Sequence, residues 1–84
     1  MNNTNESAIP LTDIKKGNAA SIVGFTNTNR ELVNRLLELG FIRGSKIIMN
    51  GKAPFGDPLI LTIHGGKLAL RKADAANIMV ICRK

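Results

Sequence analysis

A chain of 84 residues has room for one hydrophobic core, since a domain of this size buries only about 60–65% of its unfolded surface, and a two-domain organisation is excluded. Hydrophobic residues make up 44%, with three Phe and neither Trp nor Tyr, so that core must be aliphatic. Twelve Lys and Arg against six Asp and Glu give a net charge of +6, which favours an anionic partner, while the single cysteine, Cys82, excludes an internal disulfide and a cysteine-pair metal clamp.

Residues 1–8 are polar and read as a loose tail, with the domain expected from residue 9 to residue 84. The opening MNNTNES has neither the basic residues nor the apolar run of a secretory signal. No apolar stretch reaches the roughly 20 residues that span a bilayer, so a soluble cytoplasmic protein is expected. In PLTDIKKG, Leu11 and Ile14 are one helical turn apart and Gly17 supplies a left-handed stop, predicting one short turn with two apolar anchors.

AASIVGFT at residues 19–26 predicts a first strand, with Ile22 and Gly24 on one face and Val23 and Phe25 on the other. Thr28 and Glu31 have the spacing of a capping box and mark a helix start. Leu32, Val33, Leu36, Leu37 and Leu39 then recur at intervals of a core-facing helix. Gly40 offers its left-handed stop, and Phe41 can fold back on the last apolar turn.

Residues 45–50 predict a second strand and LILTIH at residues 59–64 a third, separated by a wide loop in which Pro54 and Pro58 prevent a tight return. Gly65-Gly66 predicts a two-residue hairpin turn into a fourth strand, KLALRK. Residues 73–77 predict a helical turn, and IMVIC a fifth strand. The expected fold is mainly β: a small SH3-like five-stranded barrel with one inserted α-helix and a short helical turn before the last strand.

The order and spacing of Leu39-Gly40-Phe41 with Gly44, of Gly56-Asp57-Pro58, and of Leu68-Ala69-Leu70-Arg71 with Ala75 and Ile78 resemble the FeoA family of ferrous iron transport accessory proteins over residues 9–83. Arg43 stands where that family commonly has Pro. The resemblance implies an SH3-like barrel, similar to the C-terminal domain of repressors of the diphtheria-toxin repressor type. It also implies a non-catalytic role as a cytosolic partner of the membrane iron permease FeoB, which carries a GTP-binding domain, at the inner face of the membrane. Weak self-association is compatible with it. The helix-turn-helix and metal-binding dimer domain of the repressors have no room in this chain.

The docking surface is expected on the loop at residues 52–58 and the helix, through Lys52, Pro54, Phe55, Asp57, Arg35 and Leu36. A large ring at a loop tip either folds back over the barrel mouth or meets a partner, and Phe55 is assigned to the partner. His64 and Cys82 are too few for a protein zinc site, so no metal or cofactor is expected beyond weak surface binding at His64. No activating base is placed beside Cys82 and no phosphate-loop motif occurs, so catalysis is not expected. The rival reading is a basic nucleic-acid-binding or transcription-regulatory barrel, which the charge supports but which lacks aromatic stacking positions and a DNA-reading element.

Overall fold

A computed structural model describes residues 7–26 and 29–83. Among them six antiparallel strands form one sheet: β1 (Ile9–Pro10), β2 (Ala19–Phe25), β3 (Lys46–Lys52), β4 (Leu59–Ile63), β5 (Gly66–Leu70) and β6 (Ile78–Arg83). Their spatial order is β1-β6-β2-β3-β4-β5. Helix α1 (Arg30–Glu38) joins β2 to β3, α2 (Lys72–Ala75) joins β5 to β6, and a 3-10 turn (Leu11–Asp13) follows β1. The five predicted strands are present. The sixth, β1, pairs Ile9 with Val80 and Pro10 with Met79; two residues carry no alternation by which sequence reading could find it. The tail expected before residue 9 lies outside the described residues except for Ser7 and Ala8.

Alternation explains which face of each strand is buried. Leu59, Leu61 and Ile63 of β4, Ile47 and Met49 of β3, and Ile78 and Val80 of β6 all enter one cluster with Leu70 of β5 and Ala20 and Ile22 of β2. Strands as far apart in the order as β5 and β6 thus share one core, and the sheet must curl around it as a partly open barrel. Leu11 and Ile14 of the 3-10 segment close the cluster at one end as their spacing predicted.

Two bulges produce part of that curl. Ile22 faces Val80 and Gly24 faces Met79, so Val23 is an extra residue in β2. The extra residue reverses the phase, and Phe25 comes to lie opposite Ile78 and packs against the core, on the same side as Ile22 rather than opposite to it as strict alternation predicted. In β3, Met49 faces Leu61 and Gly51 faces Ile60, leaving Asn50 as the extra residue, whose Oδ1 accepts a 2.6 Å hydrogen bond from Thr62 Oγ1.

The predicted cap residue Thr28 lies outside the described residues; Asn29 caps α1, its Oδ1 accepting from the Leu32 amide at 3.2 Å. At the other end the Phe41 amide donates to Leu36 O and the Gly40 amide to Leu37 O, both at 3.0 Å, the paired bonds of a Schellman stop. Leu36 and Phe41 are both fully buried. The β4–β5 turn is His64-Gly65, not the Gly65-Gly66 pair expected: Ile63 faces Gly66, and the turn residues have φ of 52° and 79°, the signs of a type I′ turn. His64 Nε2 donates to Gly40 O at 3.0 Å, joining the hairpin tip to the end of α1.

Gly40 is constrained twice, by a φ of 105° and by His64, whose Cδ2 would be 2.8 Å from a Cβ there. Gly17, at φ 89°, faces open space. Gly40→Ala should therefore cost more stability in urea unfolding than Gly17→Ala, for which about 1–2 kcal/mol of backbone strain is expected; equal losses would show that the His64 contact yields freely. Leu36→Ala should cost about 2–5 kcal/mol, and a loss below about 1 kcal/mol would contradict its place in the core.

Candidate docking surface

The loop between β3 and β4 is built by its own backbone. The Gly56 amide donates to Ala53 O at 2.7 Å, and the Ala53 amide donates to Pro58 O at 2.9 Å across the loop's root. Phe55 does not have a positive φ, so the turn with Pro54 and Phe55 at its centre is of type I, where Pro at the second position and Gly at the fourth are both favoured. Phe55 stands at its tip, 98% exposed. It does not fold back over the barrel.

Asp57 follows the turn, and its Oδ1 accepts a 2.9 Å hydrogen bond from the Lys72 amide, in the first turn of α2. The Asp57–Pro58 peptide is cis. Asp74, two residues further in the same turn of α2, receives Arg35 Nη2 of α1 at 3.4 Å. Because the Arg35 side chain is 59% exposed, this pair contributes at most ~1 kcal/mol, but it marks where α1 lies. The short α2 thus holds the loop through Lys72 and the long helix through Asp74, bringing the two elements of the expected surface to one corner of the barrel.

Of the residues expected there, Phe55, Pro54, Lys52, Asp57 and Arg35 are exposed. Leu36 is not: it is fully buried beneath α1, so it belongs to the core and must be removed from the surface. Leu37 and Leu39, expected in the core, are 40% and 43% exposed, and Ile42 just beyond them is 50% exposed. The five apolar positions of this helix spread over roughly 160° of its circumference at 100° per residue, more than a single contact with a small barrel covers. That width was the available signal for an apolar surface at the end of α1.

His64 is exposed and its ring is turned to the Gly40 carbonyl. Cys82 packs in β6 against the core, with Asn18 Nδ2 4.0 Å from its Sγ. Among the described residues, no group of three or more His, Cys, Asp or Glu is placed to hold a metal ion.

The FeoA domain model matches residues 9–82. Among solved structures, an FeoA-like protein from Clostridium acetobutylicum is 32% identical with a TM-score of 0.80, over 87% of this chain and 84% of that one. FeoA from Stenotrophomonas maltophilia, solved in complex with zinc and described as a procaryotic SH3 domain protein and a candidate activating factor of bacterial ferrous iron transport, is 28% identical with a TM-score of 0.74, over 86% and 88% of the two chains. IdeR of T. acidophilum reaches a TM-score of 0.81 at 18% identity over 92% of this chain; that likeness shows the fold alone, and the chain spans only 35% of that protein. No curated protein matches this chain. The domain match from residue 9 to residue 82 takes in all six strands found among the described residues, but for the last residue of β6, together with both helices, and the chain belongs to the FeoA family of ferrous iron transport accessory proteins.

Proposed function

We propose that this protein is a non-catalytic accessory subunit of ferrous iron uptake that docks on the cytosolic part of a FeoB-type permease. The observation that carries the reading is Phe55, an aromatic ring 98% exposed on a loop whose backbone is closed by its own hydrogen bonds. Leaving such a ring in water has no benefit for the isolated fold, and rigid aromatic side chains are the common anchors of protein interfaces. The loop backbone that carries the ring is held by its own hydrogen bonds, so little backbone entropy is lost when a partner covers it.

Lys52 and Pro54 are exposed in the same loop, and Arg35 is exposed on α1, which α2 ties to the loop through Asp74 and Lys72, so positive charge accompanies the apolar tip. A partner with a complementary acidic surface would be steered to it. The membrane-embedded part of the transport system would belong to that partner: no helix among the described residues is long and apolar enough to cross a bilayer. FeoA from S. maltophilia is described as a candidate transport activator, and a soluble domain that docks on a permease suits such a role.

The test is capture from native membrane and cytosolic fractions on tagged protein, at moderate and high salt, with bound proteins and nucleic acids both identified. An iron permease retained at both salts is the expected result; nucleic acid alone, released at high salt, would replace the reading with one carried by charge. Phe55→Ala should weaken permease capture by about 30-fold, the loss of an interface anchor worth about 2 kcal/mol, while leaving the urea midpoint in place. Undiminished capture would remove the loop from the interface. Asp57→Ala, which frees the Lys72 amide, should lower stability by about 1 kcal/mol and weaken capture less than the loss of the ring does.

A further inference from the structure

β2 slips against β6 and β3 against β4, but the ladder of β4 with β5 runs without a shift from Leu59 opposite Leu70 to Ile63 opposite Gly66. β5 is the last strand in the spatial order and has β4 as its one neighbour in the sheet. The two-residue turn makes Ile63 and Gly66 a pair that exchanges both backbone bonds. By alternation Leu68 and Leu70 also bond to β4, and the backbone N–H and C=O groups of Lys67 and Ala69 point away from it. No described residue bonds to those four groups. The row ends at Arg71, extended at φ −63° and ψ 140°, whose carbonyl accepts from the Asp74 and Ala75 amides. Both ends of the edge are anchored, at the turn by the bond from His64 Nε2 to Gly40 O and just past Arg71 by the bond from the Lys72 amide to Asp57 Oδ1. The opposite edge of the sheet is blunted: β1 is two residues long and one of them is Pro10.

We propose that β5 takes an extended segment of a partner protein as a further strand of the sheet, bound through the outward backbone groups of Lys67 and Ala69 and set in register by Lys67 and Arg71. The inference rests on the docking role above and gives the form in which the partner is held. Free backbone donors and acceptors along a fixed edge are directional, and what matches their spacing is the backbone of another strand. The edge is open to one: Gly66, Lys67 and Ala69 are exposed, and neither a proline nor a bulge interrupts β5. A second copy of this chain fits poorly. The antiparallel register that uses the whole edge sets Ala69 against Ala69 and therefore Lys67 against Arg71 of the other copy, twice, and like charges directly opposite are destabilising. Lys67 and Arg71 lie on one face of the edge, and neither forms an ion pair with a described residue. They favour a segment with Asp or Glu four residues apart on that face, and the half-buried Leu68 favours an apolar residue between them on the other. Such a segment reaches Lys72, whose amide holds the base of the Phe55 loop, so one partner can meet both edge and ring.

A random dodecapeptide phage library selected on the full chain supplies the probe, and amide hydrogen exchange followed by NMR reads the contact. In the free protein the Leu68 and Leu70 amides should be protected and those of Lys67 and Ala69 should exchange freely; the selected peptide should protect the latter two. Ala69→Pro removes one outward donor and leaves the bonds to β4 in place, and it should weaken the peptide at least about tenfold. Lys67→Glu, at an exposed position and with the backbone intact, should weaken it about fivefold, the swing from an attractive to a repulsive cross-strand pair. The amide spectrum of each variant will show that it is folded. Failure to select any peptide, selected peptides that leave both amides exchanging as before, or affinity indifferent to Lys67→Glu would overturn the proposal. Protection of the two amides at high protein concentration without peptide would overturn it in favour of a second copy. Permease capture that survives Ala69→Pro but not Phe55→Ala would reject the edge and leave the docking role standing; peptide-protected amides without permease capture would do the reverse.

Discussion

The way the Phe55 loop leaves the sheet depends on one residue too many in β3. Asn50 has no partner across the strand pair, so the ladder with β4 slips between Met49 and Gly51, and the chain changes direction before it reaches Lys52. On one side of that change, Met49 faces inward and joins the core. On the other, the Phe55 loop leaves the barrel instead of continuing the sheet. Thr62 of the opposite strand holds the extra residue by its side chain, so the irregularity is anchored. The corresponding slip at Val23 in β2 turns Phe25 back to the core and curls the other half of the sheet.

A second dependence runs through the end of α1. Phe41 can enter the core only because the chain reverses at Gly40, in a left-handed conformation that also leaves room for the His64 ring. That reversal joins the helix, the β4–β5 hairpin and the core in a few residues. It also leaves Leu37, Leu39 and Ile42 partly in solvent, because Leu36 and Phe41 already fill the space beneath the helix. The apolar surface at this end is therefore a by-product of how the helix is stopped.

Charge and apolar exposure are combined on the loop. The Phe55 ring projects into solvent, and Lys52 at the root of the loop is exposed. A partner that meets it would carry a pocket for an aromatic ring and, beside it, acidic residues. The net charge of +6 then acts as steering toward such a surface.

The sequence by itself determined the local structure: five of the strands, the helix and its stop, the turn anchored by Leu11 and Ile14, and an aliphatic core. Each follows from periodicity or from glycine and proline chemistry acting over a few residues. It also carried the family resemblance, since the spacing of Leu39-Gly40-Phe41 and Gly56-Asp57-Pro58 is linear information. Tertiary structure decided the rest. Whether Leu36 or Leu37 is buried depends on how far a small barrel reaches around the helix, and the phase of Phe25 depends on a bulge set by β6. The two-residue β1 exists only because β6 lies beside it. The link from Asp57 through α2 to Arg35 joins residues far apart in the chain, whose proximity is a property of the folded sheet and has no counterpart in local sequence.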